Sequence, residues 1–497
     1  MNPNPRLKRI LEIIPGASSW GIILALIILA ACKPVLSAAL IITFDFYWII
    51  RTLYLTTLLL LAYQKLHRQK NRNWLASCKG LSPEKKWQDF YHLVIFPAYK
   101  EGLDILRPSL ESIRNANYPK DKVIVVMAFE GRHKPSEEIA RALEAEFKDS
   151  FFGYLTTIHP DGLEGETRTK GANATWAAKR AKEFLDQKWI PYEKVLLSCF
   201  DADTCVDREY FGCLAYHFLT TPHPHQASYQ PIPVYNNNIW HAPSFARIVE
   251  ISASYCQLIE SMRLEKFVTF SSHSMSFKTL VDIDYWPVNM ISDDSVVYWK
   301  AFIFYRGNYR VVPLYITVSM DVAYSSNLPR TVVIQYKQKR RWAWGVENFP
   351  FVLSRFFNNS EIPFRVKIRR SFHLLESHVT WAVWAVIITL LAPLPVLLGG
   401  ALFHQMPIGY NLPLITGLLL KFTLGTSLVW IILSRTILPP RPKDVSWFKN
   451  IVMVMEWVLV PFIILVLGST PALDAQSRLM LAKYMEFYPT EKKRKVL

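Results

Sequence analysis

Lys194-Val195-Leu196-Leu197-Ser198-Cys199-Phe200-Asp201-Ala202-Asp203 is an apolar run that stops on two acids. Residues 194–200 have the length and content of a buried strand. Asp201 and Asp203 stand two apart, so in extended backbone both side chains leave on the same face. Upstream, residues 172–183 predict a helix, and residues 122–129 a strand rich in Val and Ile. Residues 92–96 predict a further strand, and residues 105–115 and 137–147 predict helices. This alternation predicts a mostly parallel sheet covered by helices, over residues 90 to about 323. Ligands of such sheets bind beyond the carboxyl ends of the strands. Tyr99 and Glu101 fall there after the first strand, Glu130 and Arg132 after the second, and Asp201 and Asp203 after the later one.

This polar-ended domain lies between two hydrophobic blocks. The first runs over residues 20–31 and 35–63, interrupted by Lys33-Pro34. It predicts two helices joined by a tight turn, the second long enough to span a bilayer with tilt. Asp45 and Arg51 lie inside it, where an ionisable group either meets an acceptor or packs and snorkels. The second block has apolar runs near residues 379–403, 412–433 and 451–467, with Pro393, Pro395 and Pro461 as interruptions. Three crossings there would leave the C-terminal end on the outer side, whereas the tail Lys492-Lys493-Arg494-Lys495 reads as inside. One of the three is therefore a candidate re-entrant segment. The expected organisation is helices over 1–66, a catalytic domain over 88–325, interfacial amphipathic helices over 326–372, membrane helices over 373–470 and a basic tail over 471–497.

The chain has 497 residues, 51% of them hydrophobic, and a formal net charge of +17. The basic clusters, at residues 6–9, 67–72, 365–370, 441–443 and 492–495, sit at the borders of the apolar blocks. That is the pattern of a cytosolic membrane face, and it also attracts anionic headgroups. It is not the single basic stripe of a nucleic-acid binder, so no nucleic-acid partner is expected. None of the six cysteines forms a Cys-x-x-Cys pair, which removes the common zinc and redox motifs.

Three motifs carry chemistry. Asp201 and Asp203 suit a hard divalent cation whose shell is completed by phosphate oxygens. Asp293-Asp294 opens a helix continuing over residues 296–304, where one Asp can cap and the other accept a proton. A helix over residues 331–345 carries Lys337, Lys339, Arg340 and Arg341 with Trp342 and Trp344, a composition suited to a membrane interface. Arg341 offers a planar fork to a diphosphate, and Trp342 an apolar wall for a sugar face. Lys170 and Arg132 are candidate phosphate or nucleotide contacts. His273 is a candidate lining residue of the acceptor cleft.

Taken in order, these segments resemble the family 2 glycosyltransferases, in particular their membrane-integrated branch of cellulose, chitin and hyaluronan synthases and ceramide glucosyltransferase. The resemblance covers about residues 90–351 and the flanking helices. It rests on Pro97-Ala98-Tyr99-Lys100-Glu101, Glu130 in place of the usual Asp, Lys170-Gly171-Ala172-Asn173, Asp201-Ala202-Asp203, Ser292-Asp293-Asp294 for Thr-Glu-Asp, and the complete Gln338-x-x-Arg341-Trp342. It implies an α/β GT-A (Rossmann-like) glycosyltransferase domain with an α-helical transmembrane region. It implies Asp294 as the catalytic base and Asp203 as the ligand of Mg²⁺ or Mn²⁺. Tyr99, Glu101, Glu130, Lys170, Asp201, Gln338, Arg341 and Trp342 would bind donor or acceptor. The implied reaction is inverting transfer from a nucleotide-diphosphate sugar, a UDP-sugar first among them. The acceptor would be a growing polysaccharide or, alternatively, a lipid. The implied setting is the plasma membrane, with the bilayer as partner and the catalytic domain in the cytosol. A non-catalytic nucleotide-sugar sensor is the rival from another class, and Asp203, Asp294 and Arg341 together argue against it.

Overall fold

The structure is a computed structural model that describes residues 4–486 and Arg494. Lys492, Lys493 and Lys495 of the basic tail lie outside the described residues.

The chain opens with two long helices, α1 (Pro5–Cys32) and α2 (Pro34–Lys70), that meet at Lys33. The turn is where the sequence puts it, because Pro34 can start a helix but cannot continue one. The domain that follows is built on an eight-stranded sheet. Its strands are β1 (Tyr91–Ala98), β2 (Val123–Glu130), β3 (Gly153–His159), β4 (Val195–Cys199), β5 (Cys205–Val206), β6 (Ala227–Tyr235), β7 (Ser274–Ser276) and β8 (Arg310–Met320), in the order β3-β2-β1-β4-β7-β6-β8-β5. β1 pairs in parallel with β2 and β4, and β2 with β3. The carboxyl ends of these four strands therefore share one edge. Every residue of β2 is buried, the mark of a strand covered on both faces. The other half of the sheet is mixed: β7 runs antiparallel to β4 and β6, while β6 and β8 are parallel. The parallel pattern holds for β3-β2-β1-β4 and for β6-β8, and is broken at β5, antiparallel to β8, and at β7. This strand is only Ser-Met-Ser, too short and polar to announce itself.

Helices α3 (Leu103–Arg114), α4 (Ser136–Phe147), α5 (Lys170–Gln187), α6 (Tyr210–Thr220) and α7 (Ser244–Glu260) follow the strands. α5 lies close against the sheet because its inner face is alanine: Ala174, Ala177, Ala178 and Ala181 are fully buried with Ile95, Ile124 and Val126. Thr169 caps it, its hydroxyl accepting from the Ala172 N–H. The helix starts at Lys170, two residues earlier than the apolar pattern indicates. α8 (Asp293–Phe304) and α9 (Leu328–Ala343) complete the domain. α9 buries Thr331, Ile334, Gln335, Gln338 and Lys339, a helical stripe that is mostly polar.

Three further helical segments are α10 (Phe364–Leu391), α11 (Pro407–Ile437) and α12 (Lys449–Met480), the last interrupted at several points around Pro461. With α1 and α2 they make five helices long and apolar enough to cross a membrane, among the described residues.

Candidate active site

Two clusters form along the shared edge of the parallel strands. The first joins the ends of β1, β2 and β3. The Arg132 guanidinium lies 4.1 Å from the centre of the Tyr99 ring, and its Nε donates to Glu130 at 3.1 Å. His159, the register partner of Glu130, faces the same carboxylate at 3.8 Å and holds Glu166 at 2.8 Å. Burial works against the charged imidazole, but Glu130 and Glu166 outweigh it and raise the His159 pKa. Arg132 thus joins Tyr99 and Glu130. Glu101 stands in the turn after β1. Its carboxylate accepts from the backbone N–H groups of Tyr99 (2.8 Å) and Lys100 (3.2 Å), closing the turn after β1.

The second cluster sits beyond β4. The Lys170 ammonium, on the first turn of α5, donates to Asp201 at 2.7 Å and to both oxygens of Asp294 at 2.9 and 3.2 Å. Burial alone would lower the pKa of Lys170, but Asp201 and Asp294 overcome this and hold it well above its ordinary value. The approach depends on Gly171. A Cβ there would stand 2.8 Å from the Pro287 carbonyl and 2.9 Å from the Asp293 Cβ. Ser271 donates to the second oxygen of Asp201 at 2.6 Å, and Thr269 to the Asp294 carbonyl at 2.6 Å. Asp201 and Asp294 each keep 24% of their side-chain surface open. Asp203 is fully buried, and its Oδ2 accepts from the Asp321 N–H at 2.7 Å. Of the pair expected to act together, Asp201 is the partly open member and Asp203 the buried one.

Asp293 and Asp294 occupy the first turn of α8, where the helix dipole favours negative charge. They part company at once. Asp293 is buried against Gly171, and burial together with the neighbouring Asp294 pushes its pKa up. Asp294 turns to Lys170. His273 is also buried, 3.1 Å from the Phe270 carbonyl and 3.8 Å from Asp294, and burial lowers its pKa.

α9 closes the cluster. The charge of Arg341 acts on both Asp293 and Tyr235. Trp342 packs with Tyr235 and Phe270, ring centres 5.8 and 5.7 Å apart. Gln338 is buried, and its Oε1 has no hydrogen-bond partner among the described residues. The cations of α9 do not all face outward, as an interfacial helix predicts. Lys339 is buried, 3.4 Å from Glu250 of α7 and 3.4 Å from the centre of the Trp342 ring. Arg340 pairs with Asp474 at 2.8 Å.

Sequence reasoning missed Ser271, Thr269 and, most consequentially, Glu347. Its Oε1 accepts from the N–H groups of Ile291 (3.0 Å) and Ser292 (2.7 Å) and from the Ser292 hydroxyl (2.7 Å). Its Oε2 accepts from the Trp344 indole at 3.0 Å. One carboxylate thus ties the segment after Trp342 to the loop that presents Asp293 and Asp294. The signal was present only as an acid five residues beyond Trp342. We expect Glu347→Ala to leave four part-buried donors without this acceptor, at about 1–3 kcal/mol for each that water does not reach. Transfer should fall while donor affinity, read by calorimetry, changes little. A variant with wild-type turnover would show that the loop holds itself.

Among the described residues no group of three or more His, Cys, Asp or Glu could hold a metal ion. The oxygens of Asp201 and Asp203 nevertheless fit Mg²⁺ or Mn²⁺ in chemistry, since such ions are often held by one or two carboxylates plus substrate phosphates.

The glycosyl transferase family group 2 model matches residues 196–467, from within β4 into α12. The chain belongs to this family. Its sheet, with parallel strands ending at an acid-rich edge, is the GT-A domain of that family, joined here to helices long and apolar enough to cross a membrane. No curated protein matches the chain. Among solved structures it is similar to the mannosyltransferase PcManGT from Pyrobaculum calidifontis in complex with GDP-Man and Mn²⁺. That pair shares 14% identity over 80% of this chain and 98% of the other, with a TM-score of 0.42. It is also similar to S. aureus TarS 1-349 in complex with UDP-GlcNAc, at 14% identity over 71% of this chain and 93% of that one, with a TM-score of 0.32.

Proposed function

We propose that this family member is a membrane-embedded, inverting glycosyltransferase. It would move a sugar from a nucleotide-diphosphate sugar, a UDP-sugar first among the candidates, onto a growing polysaccharide at the membrane. The carrying observation is the Lys170 ammonium that joins Asp201 and Asp294, since it brings the donor end and the base end of the reaction to one point.

Tyr99, Arg132 and Glu130 would receive the nucleotide, with Glu101 shaping the turn beneath. Asp203, with Asp201, would hold Mg²⁺ or Mn²⁺, which when bound neutralises diphosphate charge. Lys170 would exchange an acid partner for a phosphate oxygen as the donor enters, leaving Asp294 facing the acceptor. The acceptor hydroxyl oxygen then bonds to the anomeric carbon as the bond from that carbon to the diphosphate oxygen breaks. The hydroxyl proton passes to Asp294, and the departing charge is met by Arg341 and Lys170. A single displacement inverts the anomeric configuration. Gln338 and Trp342 would bound the acceptor, with Tyr235 and Phe270 behind the indole. An aromatic wall of this kind suits the C–H face of a sugar ring.

Two measurements bear on the finer parts of this reading. Chelation of divalent ions should abolish turnover, and Asp203→Asn should weaken donor binding; full activity in chelator would remove the metal. Incubation with one labelled donor should give a ladder or a long glycan that resists lipid extraction. A single organic-soluble product carrying one sugar would replace the polysaccharide acceptor by a lipid.

A further inference from the structure

Among the described residues five helices are long and apolar enough to cross a membrane, yet they do not run alike. The ends of α1, α2, α10 and α11 fall into two groups. Pro5, Lys70, Phe364 and Ile437 mark the ends beside the catalytic domain. There Leu59, Ala62 and Leu66 of α2 pack with Ile232 and Val234 of β6, and the Tyr255 hydroxyl of α7 donates to the Trp430 carbonyl of α11 at 2.9 Å. Arg51 of α2 meets Glu376 of α10 at 2.9 Å, and Lys266 of the catalytic domain meets the same carboxylate at 3.1 Å. The opposite ends gather away from that domain: Ala38 near the Lys33 turn is buried with Phe403 and Leu412, from the link between α10 and α11 and the start of α11. Each of these four helices therefore runs from the catalytic face to a far face.

α12 does not. Near its start, Glu456 is buried in an ion pair with Arg247 of α7, whose Nε donates at 3.1 Å, and accepts from Ser244 at 2.7 Å. Near its end, Asp474 accepts from Arg340 of α9 at 2.8 Å and from Tyr336 at 3.2 Å. Between those points Ile463 and Leu467 pack on Ile248 and Val249 of α7. Beyond them, Gln476 accepts from Ser19 of α1 at 2.6 Å, and the Leu479 carbonyl accepts from Arg9 at 2.9 Å. Start, middle and end thus each touch the catalytic domain, through α7, α7 and α9, while Ser469 and Gln476 also donate to the Trp381 and His378 carbonyls of α10. Met455, Val458, Leu459 and Phe462 are exposed on the segment, with Val458 at 76% and Phe462 at 67%. None of these four can satisfy water.

We propose that α12 does not cross the bilayer. It lies along the underside of the catalytic domain, clamped to α7 through Glu456 and to α9 through Asp474. Met455, Val458, Leu459 and Phe462 sit among the acyl chains of the leaflet nearest that domain. The chain then crosses four times, and Pro5 and Met480 lie on the same side. The occupant is lipid rather than another protein because the segment follows α11, whose Leu428 and Ile432 are exposed apolar residues of a spanning helix, and is tied to it through Arg435 and Asn450. The segment would seat α9, the helix of Gln338, Arg341 and Trp342, at the depth where a membrane-bound acceptor meets the donor. This rests on the membrane reading above.

The test uses the full-length chain in sealed vesicles of known orientation, with an impermeant maleimide of several kilodaltons. Cys32, exposed at the Lys33 turn, is the natural far-side reporter; Cys256, the other exposed cysteine, is replaced by serine. Single cysteines are placed before and after α12, as Lys443→Cys and Lys483→Cys, both at exposed positions. Both should be modified from the same side, opposite to Cys32. Modification of Lys443→Cys and Lys483→Cys from opposite sides would make α12 a fifth crossing and overturn the proposal. Modification of all three from either side, with release of the chain by alkaline carbonate, would overturn the membrane reading itself and this proposal with it.

Discussion

Asp294→Asn should reduce sugar transfer by about 10²–10⁴ while leaving donor affinity nearly unchanged, since that is the typical contribution of a positioned general base. Asparagine keeps the size of the side chain and an oxygen for Lys170 but cannot take the acceptor proton. The geometry separates this residue from its neighbour. Asp294 is open to the cleft and bound to Lys170, whereas Asp293 is buried against Gly171 with its pKa pushed up. Asp293→Asn replaces a carboxyl held towards its neutral form by a neutral amide and should cost much less. Calorimetry with the nucleotide and a transfer assay, run on both variants, separate binding from chemistry. Wild-type transfer by Asp294→Asn would place the base elsewhere.

Lys170→Met should have the second largest effect. Its side chain has 9% of its surface open, and its ammonium compensates two acids. Removing one partner of a buried pair costs about 3–5 kcal/mol because the remaining charges are stranded. Here those charges are Asp201 and Asp294, so the loss should appear in donor binding and transfer together, at about 10²–10³ in rate by analogy with a lost charge-stabilising donor. The sign of the pH effect follows. Without the cation, the buried Asp293 loses a charge that holds its pKa down and becomes harder still to ionise, so an acid limb that depends on this cluster should move to higher pH. A variant that loses rate with an unmoved acid limb would show that Lys170 serves the donor alone. Thermal melting of the variant beside wild type distinguishes either result from misfolding.

The parts of this fold that were legible in the sequence are those where one signal dominates. β1, β2 and β4 are apolar runs that stop on polar residues, and the edge they share was readable because each ends near an acid. The half of the sheet around β7 was not readable. Ser274-Met275-Ser276 has no strand signature, and its place is set by pairing with β4 and β6 rather than by its own residues. Within the site, the meeting of Lys170 with Asp201 and Asp294 could not be derived from spacing, because the three residues come from different elements. It depends on how closely α5 approaches α8, and hence on Gly171. Glu347 escaped for the same reason, since its partners lie 55 and 56 residues upstream. α9 misled in part. Its cations suit a membrane interface in sequence, but Lys339 and Arg340 are bound by Glu250 and Asp474. The uneven count of apolar runs in the second block is the sequence's own trace of α12, whose acids Glu456 and Asp474 mark its two attachments.

In the proposed reading, Asp201, Asp294 and Lys170 form the centre of a nucleotide-sugar transferase. The most direct measurement is release of nucleoside diphosphate from a panel of nucleotide-diphosphate sugars by the full-length protein in lipid vesicles with Mg²⁺ or Mn²⁺, beside its Asp294→Asn variant. Release from at least one donor by the wild-type chain is expected, with a loss of about 10²–10⁴ in the variant, which still binds that donor. Release at equal rates by both proteins, or a folded wild-type chain that neither binds nor cleaves any donor of the panel, would contradict it.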